Sequence, residues 1–374
     1  MSVLIKALAA IAPPPPSPLS REYDGFELRW KMFAFRPAAF KFEAIALSVL
    51  GLYLLLYVVG KQVNGGRAKA AIAPFQSFLL TQFTSVRPLL TSSPALHLAY
   101  ASGRRSLLSL HTTIILLPIH DLPSLITHFV KSIIEPTYDG SEGLVFDLTL
   151  GRGAEGLQGE GVGVWGLVDK SVMRETKEKR WDLTFPRLTE LPVLPITHAL
   201  FTEHSDCTEA LLKTPNVGVA ELISDPVAAG VLKSLLITDV PATRPTRGAL
   251  PAKSKARHII LSLYKPKNEQ QVEAAKAWLQ VELNIADLLS KTNVIKPEVS
   301  RKLLKTRQTV DEELNKSYKK EVDEDKEPEP TAEEKRAARK RAERAGMSEK
   351  EVKKAEELEK KREMRKLQKK QQSK

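Results

Sequence analysis

A single cysteine, Cys207, excludes an internal disulfide, so the main body of the chain carries no sign of an oxidising compartment. The seven histidines are scattered, and neither H-E-x-x-H nor C-x-x-C occurs, which removes the commonest zinc spacings. There is no G-x-x-x-x-G-K-[ST] phosphate loop. One match to G-x-G-x-x-G exists, at Gly151, Gly153 and Gly156. A dinucleotide site needs a helix to open there, because the helix N-terminus holds the pyrophosphate. The continuation "LQGEGVGVWG" holds four more glycines and reads instead as a flexible hairpin loop. In "TEHSDC", His204, Asp206 and Cys207 are neighbours in sequence, but a cysteine nucleophile meets its base through the fold, and these residues more simply start a helix. No catalytic, metal-ligating or cofactor-binding residue is therefore assigned, and the chain is read as a non-enzyme.

Acids are nearly absent from the first 40 residues, which hold only Glu22, Asp24 and Glu27. Charge of either sign is absent from Ala44 to Gly60. With Phe40 and Phe42 the apolar stretch reaches about 20 residues, enough for a ~30 Å hydrocarbon core. Lys41 and Glu43 fall near one headgroup layer, and Lys61 closes the other end. A core helix of a soluble domain would carry a polar stripe, and this one has none. Residues 40–60 are therefore read as one membrane span, with Ala44, Leu47, Leu50, Leu54, Tyr57 and Val59 among its transmembrane residues. The 1–39 segment before it contains Lys6, a short apolar run and "AIA" ahead of four prolines. A weak signal peptide and a retained luminal segment both stay open.

Residues 66–300 read as an α+β domain with a mainly antiparallel sheet and helices packed on one face. "PFQSFLLTQFTSV" reads as an amphipathic helix, and "ALHLAYASGRRSLLSLHTTIILLP" as two strands around a Ser-Gly turn. "DLPSLITHFVKSIIEP" is a helix capped by Asp121, with Leu122, Leu125, Ile126, Phe129, Val130 and Ile133 on one face. "GLVFDLTLGRG", "GVGVWGLVDK", "RWDLTF", "KSLLITDVP" and "RHIILSLYK" read as strands. "SDCTEALLK" and "DPVAAGVL" read as short helices, and "NEQQVEAAKAWLQVELNIADLLSK" as a long one capped by Asn268. A helix follows at 301–322, then an acidic hinge at 323–331 that Pro328 and Pro330 keep from being helical.

The net charge of +12 is concentrated at the end. From Thr331 to Lys374 there are 17 Lys and Arg against 9 Asp and Glu. Good helix formers dominate 332–374, and Glu349–Lys353, Glu356–Lys360 and Glu357–Lys361 are favourable i,i+4 pairs. The apolar line of Val352, Ala355, Leu358 and Leu367 is too thin for a homodimeric coiled coil, so this long charged helix of coiled-coil composition reads as an arm ordered on a partner. Lys353, Lys354, Lys360, Lys361, Arg362, Arg365, Lys366, Lys369 and Lys370 give it several positive faces, suited to following phosphates. It contains no aromatic residue, so base stacking is not expected. Nucleic acid and anionic lipid both fit that charge. The thin apolar line disfavours an interfacial helix.

The segments "LYLLLYVVGKQVNGGRAKA", "ASGRR", "EAAKAWLQVELNIADLLSK", "VSRKLLKTRQTVDEELNKSYKKE" and "KKAEELEKKREMRKLQKKQQ", in this order, resemble the calumin family. These are coiled-coil-domain membrane proteins of the endoplasmic reticulum, subunits of the PAT complex. The resemblance runs from Phe40 to the C-terminus. It implies an intramembrane chaperone that sits beside the protein-conducting channel and a translating ribosome, and partners a small membrane protein, Asterix. It implies multipass membrane proteins as clients, a luminal N-terminus and a cytosolic C-terminus. Charge alone does not orient the span: Arg29, Lys31, Arg36 and Lys41 precede it, and Lys61, Arg67 and Lys69 follow. The family's link to endoplasmic reticulum calcium rests on an acidic luminal segment, and the scarcity of acids in residues 1–40 departs from it. The alternative functions are a tether whose arm binds lipid on a facing membrane, and a part in calcium homeostasis. Asn315-Lys316-Ser317 is a glycosylation sequon, and on a cytosolic arm it stays bare.

Overall fold

A computed structural model describes residues 25–30, 33–105, 107–135, 137–151, 163–214, 216–251, 255–290 and 295–325, and residues 358, 360, 361, 364, 365 and 368. The described residues fall into two compact units. The first runs through Val310 apart from 246–249, and the second holds Thr246–Ala249 and the chain from Asp311 onward.

The first unit opens with a small antiparallel hairpin, β1 (Leu28–Trp30) and β2 (Phe33–Phe35), and a 3-10 turn at Pro37–Phe40. The 42-residue helix α1 (Lys41–Gln82) follows, about 63 Å long. Then come β3 (Ser85–Val86), β4 (Leu90–Ser93), β5 (Leu96–Ser102), β6 (Leu107–Ile115), helix α2 (Leu122–Ile134), β7 (Gly143–Leu150) and β8 (Trp165–Asp169). Helix α3 (Met173–Lys179), β9 (Arg187–Thr189), β10 (His198–Thr202), α4 (Ser205–Lys213), α5 (Val219–Ser224), α6 (Pro226–Val231), β11 (Leu232–Thr238), β12 (His258–Tyr264), α7 (Glu269–Leu289) and α8 (Pro297–Asp325) complete the described elements.

Strands β3 to β12 form one ten-stranded sheet in the order β3-β5-β6-β7-β12-β11-β8-β10-β9, with β4 beside β5, and its strand pairs are antiparallel. Alternation along the strands sorts side chains between two faces. On β12, Ile259, Leu261 and Leu263 enter the main core, while Ile260 borders a second, smaller cluster. The main core is roofed by α7 and by the end of α1. Trp278 of α7 is fully buried and donates its indole N–H to Ala228 O at 2.8 Å. Phe75 of α1 meets Phe146 of β7 with ring centroids 5.5 Å apart. The smaller cluster lies under Val172, Met173, Trp181 and Phe185 at one end of the sheet, so the helices are mostly, but not wholly, on one face.

Several readings change. The apolar helix does not end at residue 60; it continues through the segment read as a separate amphipathic helix, because Ala68, Ala71, Phe75 and Leu79 supply a buried stripe. Pro74 is accommodated inside it. Strands β7 and β8 do not form a hairpin: β12 and β11 lie between them in the sheet. Residues 152–162 themselves, with Gly153 and Gly156, lie outside the described residues. "RWDLTF" is not a strand but carries a 3-10 turn at Asp182–Thr184, where fully buried Asp182 accepts from Arg180 Nη2 at 2.6 Å. Strand β10 was not foreseen, although all five of its residues are buried. Asn268 precedes α7 without a side-chain cap, and Gln271 Oε1 takes up the neighbouring Lys267 N–H instead. Helix α8 begins at Pro297, and Val299 and Leu303 reach the main core, so the first unit extends past residue 300. The proline hinge beyond Asp325 and most of the arm lie outside the described residues.

Candidate functional site at the membrane helix junction

Helix α1 has two halves of opposite character. It is the one described helix long and apolar enough to cross a membrane, and no part of its most apolar window is buried. Ala44, Leu47, Leu50, Leu54 and Val59 are exposed, and Tyr57 is near the boundary at 37%. All six residues named for the span are thus exposed. From Gly60 onward a stripe turns inward through Gly60, Asn64, Ala68, Ala71, Phe75 and Leu79. Spacings of three and four keep these on one face. Small residues lead this stripe and large ones end it, so the backbone of α1 sits close to its neighbours at the junction and fills the core further on.

The segment 117–121 docks against α1 at the changeover. Asn64, fully buried, donates its amide to Leu117 O at 2.8 Å. A Cβ on Gly60 would stand 2.5 Å from His120 Cα, so only glycine admits this approach. Tyr57 and His120 meet edge to face at 5.7 Å. Tyr53 donates its hydroxyl to Asp121 Oδ1 at 3.2 Å. The Asp121 carboxyl also accepts from the Ser124 hydroxyl, which is the largest cause holding it below the usual carboxylate range. Asp121 stands at the N-cap position of α2, where its side chain makes no cap hydrogen bond.

Glu142, just before β7, closes the joint. Oε1 accepts from the Leu117 N–H at 3.1 Å, and Oε2 accepts from Arg67 of α1 at 2.7 Å and from Lys265 at 3.1 Å. Arg67 reaches Asn64 Oδ1 as well, at 3.3 Å. Burial alone would raise the Glu142 carboxyl, but the Leu117 N–H and Lys265, then Arg67, outweigh it and hold it below its ordinary range. Helix, docking segment and sheet are thus tied through one carboxylate. Sequence reasoning missed Asn64, Arg67, Leu117 and Glu142. A buried Asn just past an apolar run was the available signal, but its partner lies 53 residues away.

Of the nine cations assigned to the arm, Lys360, Lys361 and Arg365 are described, and they are helical and exposed. Lys353, Lys354, Arg362, Lys366, Lys369 and Lys370 lie outside the described residues. In the second unit, Asn315 Oδ1 accepts from the Ala249 N–H at 2.9 Å. At "TEHSDC", Cys207 is buried and its thiol is pushed up to about 12, by burial first and then by Glu203 and Asp206. His204 caps α4, its Nδ1 accepting from the Asp206 N–H at 3.3 Å. A thiol so raised is the reverse of an activated nucleophile.

A family model described as PAT complex subunit CCDC47 matches residues 39–366. Among curated proteins, a UPF0674 endoplasmic reticulum membrane protein of Schizosaccharomyces pombe is 27% identical over 219 residues, covering 55% of this chain and 56% of its own. The chain thus spans about half the length of that curated relative.

Proposed function

The chain belongs to the PAT complex subunit CCDC47 family, and from that premise we propose that it is a single-pass subunit of the endoplasmic reticulum membrane that helps multipass membrane proteins insert and fold beside the translating ribosome. The N-terminus is luminal; the compact unit and the basic arm are cytosolic. Its partners are a small Asterix-like membrane protein, the protein-conducting channel, ribosomal RNA and multipass clients. It acts by position, without catalysis or a cofactor. The observation that carries this reading is the continuity of α1, which runs without a break from an exposed apolar half into the core of the folded unit. A domain joined in this way is held at the membrane surface, where nascent spans emerge. The relative's description as an endoplasmic reticulum membrane protein supports the location. The excess of 17 cations over 9 anions in 331–374 supports a polyanionic partner.

Co-sedimentation of the detergent-solubilised full chain with purified ribosomes tests the arm. Deleting 331–374 is expected to weaken pelleting at least about tenfold, roughly 1.4 kcal/mol. Binding by the intact chain falls steeply as salt is raised, because phosphate contacts release counterions. Pelleting that survives the deletion unchanged removes the arm from ribosome binding. Arm-dependent flotation with anionic vesicles, and no pelleting, supports the tether reading instead.

Topology has its own reporter. Asn315 in cells is expected to carry no sugar, so digestion with a peptide N-glycosidase leaves the electrophoretic mobility of the chain unchanged. A mobility shift abolished by Ser317→Ala would put the second unit in the lumen and end the proposed cytosolic role.

A further inference from the structure

Among the described residues, none covers the apolar face of helix α2. None of its residues is buried. Ile126, Phe129, Ile133 and Ile134 are 60%, 65%, 66% and 71% exposed. Scattered exposed apolar residues are ordinary, but a contiguous helical stripe of this size marks a binding surface. The main core is roofed by α1 and α7 without it.

The docking of 117–121 says what covers the face. That segment runs along α1 from Asn64 to Tyr53, so α2 starts at the level of Tyr53. Lys61 is the first charge after the apolar run of α1 and lies eight residues beyond Tyr53, about 12 Å along the helix axis. Helix α2 therefore begins on the membrane side of that charge. From Leu122 to Val130 it contains no Asp, Glu, Lys or Arg. Its hydroxyls are satisfied locally: Thr127 donates to Ser124 O at 2.8 Å and Ser132 to Phe129 O at 2.7 Å. Such polar groups tolerate a dry setting. Lys131, opposite Phe129 on the helical wheel, sits 5.9 Å from the Tyr138 ring, on the side turned back toward the protein.

We propose that α2 lies in the plane of the bilayer, with Ile126, Phe129, Ile133 and Ile134 in the acyl boundary of the leaflet on the domain's side, as a second membrane contact next to the span. Two contacts fix the rotation of the compact unit about the axis of α1, which the span alone does not. The inference rests on α1 crossing the bilayer.

The test uses the full chain in protein-free lipid nanodiscs. Phe129→Cys, Ile133→Cys, Lys131→Cys and the span control Leu50→Cys are each labelled with an NBD fluorophore. The thiol of Cys207, buried and raised to about 12, does not compete for the label. With lipids brominated near the headgroup, the labels at 129 and 133 are expected to lose at least about half their emission, and the label at 131 little. The label at 50 is expected to respond to bromines near the acyl end. Quenching at 50 with the labels at 129 and 133 open to aqueous iodide would overturn the in-plane placement alone, leaving the face to a protein partner. No quenching at 50 would overturn the span and this inference together.

Discussion

Replacing Arg307 with Met will lower the stability of the compact unit by about 3–5 kcal/mol, the usual cost of stranding buried charges. Arg307, on α8, donates from Nε and Nη2 to Asp239, with Nη2–Oδ1 at 2.9 Å, and from Nη1 and Nη2 to Glu203 at 3.1 and 2.6 Å. The guanidinium stands 5.0 Å over the Phe185 ring. The side chains of Arg307, Glu203 and Asp239 are only 14%, 11% and 3% exposed, so water screens little of this. Burial by itself would weaken the charge on Arg307, but Asp239 and then Glu203 more than restore it. Without Arg307, two carboxylates remain buried side by side, and α8 loses its ion pairs to Glu203 and Asp239. The thermal midpoint of the solubilised chain should fall by at least about 6 °C. Adding Glu203→Gln and Asp239→Asn should recover much of the loss, because the stranded charge is the main cost. An unchanged midpoint in Arg307→Met would refute the role of this cluster.

Glu142→Ala is expected to cost about 2–4 kcal/mol and to free the docking segment. The Leu117 N–H loses its acceptor, worth about 1–3 kcal/mol. Arg67 and Lys265 each lose an anionic partner; their side chains are 31% and 25% exposed, so each adds only about 0.5 kcal/mol. Amide hydrogen exchange across 117–134 should speed up in the variant more than exchange in β7 or β12. The joint also has a defined pH response. The Glu142 carboxyl is held below its ordinary range in the folded chain. Its contribution is therefore complete above that ordinary range, and it is lost as the pH falls through the depressed folded value. Stability of the parent should decline across that acidic window more than stability of Glu142→Ala. Parallel pH profiles for the two chains would contradict this assignment.

Periodicity and turn chemistry made much of the fold legible. Ile259, Leu261 and Leu263 alternate as a half-buried strand should, and they do enter the core. The Ser-Gly turn after β5 was readable because Gly103, at φ +95°, adopts a conformation that other residues resist. The joint was not legible. Glu142 looks like any acid at the start of a strand, and Arg307 like one more cation in a basic helix. Their partners lie 25 to 123 residues away for Glu142, and 68 and 104 residues away for Arg307. Spacing along a chain carries no trace of such pairings. The hairpin assigned to the glycine loop failed for a related reason: local turn propensity cannot show that β12 and β11 intervene.

The amino-acid sequence alone determined that one uncharged stretch would seek a membrane, that strands and helices would alternate around one core, and that positive charge would gather at the C-terminal end. These are properties of composition and period, and transfer free energy acts on them residue by residue. Only the tertiary structure decided where the long apolar helix becomes a core helix, and that the apolar face of α2 stays exposed. Both outcomes depend on which surfaces are already occupied: α1 and α7 roof the main core, and among the described residues none covers the apolar face of α2.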